Sequence, residues 1–352
     1  MTEPRYRVAD LTSLGADLLV GVGVAEDRAR TIAELLVEAD LMGHTTHGLA
    51  LLGPYLGEIE SGEMTVAGDP EVVRDTGACI TWDGNKLPGV WLTARAIDTA
   101  LGRVKTYGTA TVVIRRSHHI ACLAAFLPLA TSQGCMIILT CSDPAAASVA
   151  PYGGTKAVFT PDPIAVGIPT GGDPILIDMS ASITTNGMSN RLLAEGKRFP
   201  QPWLIDAAGR PTNDPAVLVA DPPGTILPTG GMDHGHKGYG LALTVEALTQ
   251  GLGAFGRAEE PGGWGASVFV QLLDPEAFGG RSGFTRETDW VVAACHASPP
   301  RAGFDHVRLP GESAMIRRRR ALSEGCVLHE SVMPKLAAWA EKQGRTLPSP
   351  LS

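Results

Sequence analysis

The sequence predicts an α/β protein in which helical segments at both ends of the chain surround a β-rich middle. Three observations predict this class. Apolar residues recur at helical spacing near the N-terminus, three β-rich runs follow between residues 111 and 178, and residues 331–343 again have helical spacing. The chain has 352 residues, of which 44% are hydrophobic, so it can bury a large core distributed over two or three lobes.

The first part of the chain is predicted to be helical from residue 10 to residue 62. Between Glu26 and Leu41 the apolar side chains form one stripe, made of Ala29, Ile32, Leu35, Leu36 and Ala39. The pattern resumes over 47–62, where Pro54 is tolerated in a first helical turn. The runs 71–75 and 79–84 are then predicted to be short strands, because Gly and Asp bound them.

The rest of the chain alternates helix and strand signals. A helix is predicted over 90–107, and residues 120–132 are long enough for another. Residues 200–234 are rich in Pro and Gly, which predicts surface loops, and no internal repeat is visible. The remaining predicted elements are strands at 111–115, 136–140, 174–178 and 266–273, a helix that begins near Lys237, and a C-terminal helix at 331–343.

Charge and cysteine usage exclude several classes of protein. A net charge of −8 leaves no basic field for nucleic acid or an anionic membrane. The basic cluster Arg317–Arg320 is interpreted as a solvated face, because acidic residues flank it. No apolar run is long enough to span a bilayer, and the N-terminus lacks the apolar stretch of a signal peptide. The six cysteines are single, without a CxxC pair, so we expect reduced thiols and a cytoplasmic protein.

Two glycine-rich segments imitate the phosphate-binding motif of Rossmann folds. Residues 251–256, GLGAFG, match GxGxxG, but a helical segment precedes them where the motif needs a strand. Residues 21–26, GVGVAE, lack the last glycine and lie between two helical segments. Neither segment is therefore predicted to bind a dinucleotide in the Rossmann manner.

Polar side chains follow each of the three central β-rich runs. They are Ser117, His118 and His119 after the first run, Ser142 and Asp143 after the second, and Asp178 and Ser180 after the third. Ligands of α/β sheets gather at strand ends, so three such ends predict a site. Imidazole titrates near neutral pH and suits proton transfer. Of the adjacent His118 and His119 at most one is predicted to be catalytic, because neighbours on a regular element cannot both face one ligand.

His44 and His47, in the segment DLMGHTTHG, are interpreted as metal ligands, as acid–base groups or as the polar end of a helix. The sequence has neither an HEXXH motif nor further histidines at ligand spacing, which argues against a metal. Lys237 lies between glycines at a predicted helix start. There it could hold an anionic ligand together with free backbone amides, although a surface lysine is the simpler interpretation.

Together these motifs resemble the malate/L-lactate dehydrogenase family of nicotinamide oxidoreductases, which includes ureidoglycolate, sulfolactate, diketogulonate and piperideine-2-carboxylate (cyclic ketimine) oxidoreductases. The likeness covers nearly the whole chain through the ordered motifs ADLMGHTTHG, RSHH, APYGG, PDPIAVGIPT, DMSAS, HKGYGLAL and LPGE. It implies a non-Rossmann, sulfolactate-dehydrogenase-like α/β fold and a homodimer with the active site near the interface. The implied domains are a helical domain (1–66 and 312–352), a central α/β domain (67–110 and 231–311) and a cofactor-binding domain (111–230).

The resemblance also implies roles for individual residues. His119 matches the acid–base histidine, His47 and Thr46 match substrate-site positions, and Tyr55 is expected to contact the substrate. Asp143 is expected to orient a histidine or the substrate, whereas His44 lies at a variable position. The implied cofactor contacts are Ser142, Asp178, Met179, Ser180, Lys237, Pro310, Gly311 and Glu312.

The implied reaction is reversible hydride transfer between the nicotinamide C4 of NAD or NADP and a small 2-hydroxy or 2-oxo acid. A histidine donates a proton in reduction and accepts it in oxidation, which contributes about 10²–10⁴-fold to the rate. The sequence does not choose between NAD and NADP, and no metal is expected.

Two positions depart from the family pattern and keep alternatives open. Leu51 replaces an arginine that binds the substrate carboxylate through a charged hydrogen bond worth roughly 1.5–3 kcal/mol. Asp162 replaces the asparagine of the family's GTNP motif. The alternatives are a cyclic ketimine reductase, a nucleotide-binding relative without turnover, and a metal-dependent hydrolase that uses His44 and His47. Malate, lactate and ureidoglycolate are expected to turn over poorly.

Overall fold

A mixed sheet of seven strands forms the centre of the fold in the computed structural model, which describes residues 4–351. The helices are α1 (Val8–Gly21), α2 (Glu26–Met42), α3 (Leu52–Glu60), α4 (Gly89–Tyr107), α5 (Leu127–Thr131), α6 (Asn186–Ala194), α7 (Gly231–His234), α8 (His236–Glu246), α9 (Arg281–Ala297), α10 (Glu312–Glu324) and α11 (Val332–Lys342). The strands are β1 (Arg5–Tyr6), β2 (Glu71–Asp75), β3 (Cys79–Asp83), β4 (Thr109–Ser117), β5 (Met136–Ser142), β6 (Pro163–Ile168), β7 (Ile175–Ser180), β8 (Leu204–Ile205), β9 (Pro211–Thr212), β10 (Thr225–Ile226), β11 (Ala266–Leu273) and β12 (Cys326–Val327).

The strand order of the central sheet is β2-β3-β4-β11-β5-β6-β7, and every pair except β3–β4 is antiparallel. Because directions alternate, the ends of β4, β5 and β7 and the starts of β11 and β6 lie along one edge of the sheet. The register shows this directly, since Ser117 pairs with Ala266, Ser142 with Ser267, and Ser180 with Pro163. We call this edge the site edge.

The helical layer beside the sheet is built from both ends of the chain. The predicted apolar stripe of α2 is buried, and α1, α4 and α10 pack around this helix. Helix α2 ends at Gly43, whose φ of +90° is the left-handed conformation that favours glycine. Strand β1 pairs with β12, and α11 packs on α3, so the two ends of the chain share one layer.

The arginine cluster of α10 lies mostly at the exposed surface, as predicted, and its side chains also contact neighbouring segments. Arg317 donates to the Met42 carbonyl over 3.2 Å at the end of α2. Arg318 pairs with Glu38 of α2, and Arg319 reaches Asp173 just before β7. The last of the four, Arg320, pairs with Glu324 on its own helix. Each of the four guanidinium groups therefore has a partner within the protein.

Several elements were not predicted from the sequence, among them α6, α10, β6 and α9. Strand β6 lies inside the sheet, but it starts with Pro163 and contains Gly167, and both residues weaken a strand signal. Helix α9 has no buried residue, and its Trp290 is 68% exposed. Because no face of this helix packs on the core, its apolar residues do not recur at helical spacing in the sequence.

Two predictions are corrected in part. In the segment 120–132, a 3₁₀ turn (Leu123–Phe126) precedes the short helix α5, and Ala121 has a left-handed φ of +59° that prevents one continuous helix. In the segment 200–234, predicted to be loops, β8, β9 and β10 form a three-stranded sheet. That sheet covers a second, smaller hydrophobic core that includes Phe159 and Leu204.

The glycine-rich segment 251–256 follows α8 through a π-helical turn (Ala247–Gly251), so a helix and not a strand precedes it, as predicted. Within residues 4–351, none of the helices combines the length and the apolar character needed to cross a membrane.

Candidate active site

The site edge of the sheet brings together the polar residues that follow β4, β5 and β7. His119 lies just beyond β4. Ser142 is the last residue of β5 and is followed by Asp143, and Asp178 and Ser180 lie at the end of β7. The strand ends thus meet as the sequence predicts, although the sheet is mixed and not parallel. Helix α3 reaches this edge from the helical layer and carries Tyr55.

His119 is fixed by three contacts that leave one ring nitrogen for a ligand. The Tyr55 hydroxyl lies 2.7 Å from its Nδ1, and the Ala121 amide is 3.3 Å from the same nitrogen. The indole ring of Trp264, from the turn before β11, stacks on the imidazole with ring centres 4.6 Å apart and a tilt of 30°. Trp264 was not predicted as a site residue, since nothing in the sequence joins it to a histidine 145 positions earlier.

The imidazole of His119 is neutral at neutral pH. Burial lowers its pKa well below the ordinary value of 6.5, and positive charge on His47 or His118 would lower it further. Tyr55 keeps its proton, because burial raises its pKa well above 10. The pair is therefore a neutral imidazole beside a neutral phenol, whose oxygen can accept from Nδ1–H while its own proton is donated to the His119 carbonyl.

His47 faces His119 from the loop after α2, with ring centres 6.1 Å apart. Its Nδ1 is 2.7 Å from the Thr46 hydroxyl, so Nε2 is the nitrogen left for a ligand. Burial, together with the nearby charges of His44 and Arg191, lowers the pKa of His47 to about 4. Helix α6 begins close to this loop. A Cβ atom added to Gly187, the second residue of the helix, would lie 3.6 Å from Cε1 of His47.

His118 points away from this centre and packs inside the protein. It is fully buried, its Nε2 lies 3.4 Å from a carboxylate oxygen of Glu58, and the edge of its ring meets Trp264. The two adjacent histidines thus diverge, as predicted, and His118 supports the indole that stacks on His119.

Ser142 lies in a buried polar cluster that the sequence did not predict. Its hydroxyl donates to Glu246 over 2.7 Å and accepts from Gln250 and Arg257 over 3.1 and 3.2 Å. Arg257 also pairs with Glu246 at 2.8 Å. All three partners come from α8 and the segments after it, more than 100 residues beyond Ser142.

Asp143 does not contact either site histidine among the described residues. Its carboxylate accepts from the Ala145 amide at 2.9 Å and lies 3.5 Å from the Gly265 amide. Burial raises its pKa. Asp143 lines a cavity of about 290 Å³ together with Trp264, so its link to His119 passes through the indole.

Asp162 faces the Ser142 cluster. Its Oδ1 accepts from the Thr160 hydroxyl at 2.6 Å, whereas Oδ2 is buried without a partner among residues 4–351. Burial, together with the nearby carboxylate of Glu246, raises its pKa to about 7. The backbone φ of +46° at this residue is one that asparagine adopts more readily than most residues.

The predicted cofactor positions on β7 and α8 lie side by side. A Cβ on Gly238 would come within 2.4 Å of the Ala181 carbonyl, so the first turn of α8 packs directly on the chain that leaves β7. Lys237 is exposed in that turn, Met179 is 42% exposed, and the Ser180 hydroxyl donates to the Ser182 carbonyl. An exposed ammonium and hydroxyl groups beside a helix start fit the diphosphate of a dinucleotide.

The segment Pro310–Glu312 lies beside β7 but turns away from the site edge. The Pro310 carbonyl accepts from the Leu176 amide at 3.1 Å, and Gly311 has a left-handed φ of +86°. Glu312 accepts from the Leu309 amide and contacts His296 of α9 at 3.2 Å. In the described chain, Glu312 contacts none of the other predicted site residues.

His44 lies in a group that could ligate a metal, but with partners other than His47. The ligand atoms of His44, Cys122 and Asp178 all lie within 4.8 Å of one another. The Asp178 carboxylate also accepts from the Ala124 amide at 2.9 Å. Cys122 and Asp178 come from segments 56 positions apart, so their proximity left no local pattern in the sequence.

The last two features of the site are the residue at position 51 and an arginine on helix α6. Leu51 is half-buried and packs against the main hydrophobic core. Arg191 of α6 donates to the Thr45 hydroxyl over 3.1 Å and to the Thr45 carbonyl over 3.2 Å. A guanidinium therefore lies at the histidine loop, although not at the position that the family pattern predicts.

The chain is similar to known dehydrogenases over nearly its whole length. Residues 6–337 match the family model described as malate/L-lactate dehydrogenase. A (2R)-3-sulfolactate dehydrogenase (NADP⁺) of Chromohalobacter salexigens is 32% identical over 93% of this chain and 96% of its own length. An L-lactate dehydrogenase of Cupriavidus necator is 31% identical over 88% of this chain and 89% of its own length. The crystal structure of malate dehydrogenase from Entamoeba histolytica has the same fold, with a TM-score of 0.92, 24% identity and coverage of 99% of this chain and 100% of that one.

Proposed function

Since this chain belongs to the malate/L-lactate dehydrogenase family and is an enzyme, we propose that it transfers a hydride between NAD or NADP and a small 2-hydroxy/2-oxo acid, with His119 as acid and base. The observation that carries this proposal is the contact of 2.7 Å between the Tyr55 hydroxyl and Nδ1 of His119. This contact joins helix α3 of the helical layer to the site edge and fixes the imidazole of His119 opposite His47.

The nicotinamide would supply the hydride chemistry, and the residues of this chain supply binding and proton transfer. Lys237, Ser180 and the chain around Asp178 are the proposed contacts of the cofactor. Residues 111–230 are the proposed cofactor-binding part of the chain.

His119 serves both directions because Tyr55 can support both of its protonation states. In oxidation, neutral His119 carries its single ring proton on Nδ1, which donates to the phenol oxygen of Tyr55, and the free Nε2 takes the hydroxyl proton of the substrate. The Tyr55 hydroxyl donates to the His119 carbonyl, 3.4 Å away, in both protonation states. In reduction, the charged imidazole gives the Nε2 proton back. The stacked Trp264 keeps the ring plane fixed through both steps.

His47 is proposed to hold the substrate oxygen that His119 protonates or deprotonates. Its low pKa keeps the ring neutral, and an Nδ1 that accepts from Thr46 places the ring proton on Nε2. A neutral Nε2–H can donate to a carbonyl or hydroxyl oxygen without adding a second positive charge beside His119. Asp143 is proposed to act only through the Gly265–Trp264 turn.

The test begins with fluorescence titrations of NADH and NADPH, followed by turnover assays with 2-oxo acids and cyclic imines. His119→Ala should abolish turnover and leave nucleotide affinity nearly intact, whereas the control His306→Ala, at an exposed position, should change neither. Equal loss of turnover and nucleotide affinity would show that His119 is structural. Turnover of imines alone would favour the ketimine reductase. Tight nucleotide binding with no turnover would favour the inactive relative.

We also propose that the enzyme is a homodimer. Large apolar side chains are exposed on and around α9, among them Phe278 at 69%, Trp290 at 68% and Phe304 at 51%. Exposed apolar area of this kind is typical of interfaces. Sedimentation velocity should give the mass of two chains, and Trp290→Glu should shift it towards one. A monomeric wild type would refute this part of the proposal.

A further inference from the structure

The proposed substrate is an acid, yet the usual anchor for its carboxylate is missing. Leu51 belongs to a single 3₁₀ turn (Leu49–Leu51), and its side chain packs against the main core. The leucine side chain has no charge and no hydrogen-bond donor. A substrate carboxylate beside two neutral histidines therefore needs a cation from another element.

Helix α6 provides such a cation from the opposite side of the histidine loop. Gly187 and Arg191 are four residues apart and so lie on the same face of α6. Gly187 is in near contact with His47 and Thr46, and Arg191 donates two hydrogen bonds to Thr45. The guanidinium thus lies at the loop that carries His47, whose ring centre is 6.1 Å from that of His119.

Arg191 has the charge and the free donors that an anion requires. Two of the five N–H donors of its guanidinium go to the neutral oxygens of Thr45, so three remain. Throughout residues 4–351, no carboxylate lies within ion-pair distance of it, in contrast to Arg198 further along the same segment, which pairs with Asp214. Arg191 is half-buried, and the carboxyl groups of Asp40 and Glu195 feel its charge without forming an ion pair with it, so its free donors remain open to a ligand.

We propose that Arg191 binds the carboxylate of the substrate and replaces the arginine that Leu51 displaced. This inference rests on the proposed function, since it assigns a residue to the substrate acid of that reaction. A guanidinium presents paired N–H groups that match the two oxygens of a carboxylate. Held there, the carboxylate lies on the His47 side of the site, and the adjacent carbon that bears oxygen is directed towards His119.

Arg317 is the other arginine near this loop, and its geometry indicates a different role. It is exposed and donates to the Met42 carbonyl at the end of α2, where a cation satisfies a free helix carbonyl. It therefore serves as a matched control, because Arg317→Gln removes a positive charge near the same loop without touching Thr45 or His47.

The test is a cycle that changes the enzyme and the substrate together. The 2-oxo acid that the wild type reduces best is compared with its primary amide, which keeps the ketone and lacks the negative charge. Arg191→Gln should raise the KM for the acid about 10- to 100-fold and change kcat/KM for the amide less than threefold. Arg191→Lys should restore part of the loss, and Arg317→Gln should leave both substrates and the NADH dissociation constant within about twofold.

Direct binding of oxamate, an unreactive 2-oxo acid analogue, gives a readout that does not depend on turnover. Calorimetry on the NADH-saturated enzyme should show the same 10- to 100-fold weakening in Arg191→Gln. Equal losses for acid and amide, or unchanged oxamate affinity, would overturn the role of Arg191. If the wild type reduces no 2-oxo acid, the proposed function fails, and the oxamate titration alone decides on Arg191. No oxamate binding to the wild type would overturn this inference.

Discussion

Replacing Tyr55 by Phe removes one oxygen atom and tests whether His119 changes its charge during the reaction. The phenol is buried, at 2% exposure, and its hydroxyl is 2.7 Å from Nδ1 of His119. Without it, the Ala121 amide at 3.3 Å is the remaining neighbour of that nitrogen, and an amide N–H cannot accept a proton from Nδ1–H. The variant therefore weakens the charged imidazole more than the neutral one.

The size of the effect follows from the difference between the two states. A hydrogen bond to a charged group is worth roughly 1.5–3 kcal/mol, and one between neutral groups roughly 0.5–1.5 kcal/mol. The charged form of His119 thus loses about 1–1.5 kcal/mol more than the neutral form. If the charge is fully developed in the transition state, kcat for oxidation falls roughly 5- to 13-fold.

The assay is kcat for oxidation of the best 2-hydroxy acid at saturating substrate and cofactor, with the NADH dissociation constant as a check on folding. Tyr6→Phe is the matched control, since Tyr6 is also buried, at 7% exposure, but lies in β1. It should leave kcat unchanged. A kcat for Tyr55→Phe within twofold of the wild type would refute the reasoning, as would a loss as complete as that of His119→Ala.

Four further predictions concern pH, stability, the cofactor and metals. Since burial lowers the pKa of His119, kcat/KM for oxidation should stay level from pH 9 to below 6.5 and fall only in acid, while reduction should gain in acid; a break above pH 7 would contradict this. The folded state raises the pKa of Asp162 from 3.8 to about 7, so its contribution to stability is complete below pH 3.8 and is lost as the pH rises towards 7. Asp162→Asn should therefore gain stability relative to the wild type as the pH rises from 4 to 8 in thermal unfolding; a gain independent of pH would refute the argument. Lys237→Ala should weaken NADH binding roughly tenfold and keep kcat at saturating cofactor, whereas the exposed Lys342→Ala should change neither. A chelator such as EDTA should leave turnover unchanged, and a loss restored by zinc would contradict the expectation that the site needs no metal.

Much of the fold was predictable because a helix or strand that buries one face has apolar residues at regular spacing in the sequence. Helices α2 and α4 and strands β4, β5 and β11 bury one face or both, and their apolar spacing predicted them. Helix α9 buries no residue and therefore left no period. Strand β6 begins with a proline, which suppressed its signal although it lies inside the sheet.

The site was predictable where its residues follow strands and not where helices bring in distant partners. His119 and Ser142 could be expected at one edge, because polar residues after buried strands tend to meet there. Their partners Tyr55, Trp264 and Glu246 reach them through packing between elements separated by 64, 145 and 104 positions. Arg191 left no signal either, since an arginine on a short polar helix is ordinary until the neighbouring loop is seen.

The pairing of β1 with β12 affects the order of events during synthesis. Arg5 bonds to Gly325, a residue made 320 positions later, and at about 5–20 residues per second the ribosome needs roughly 16–64 s to reach it. For that interval α2 and α3 have emerged without α10 and α11, the helices that pack on them. The loop that carries His47 follows α2, and Tyr55 lies on α3, so this part of the proposed site can be fully packed only after the C-terminal helices have been made.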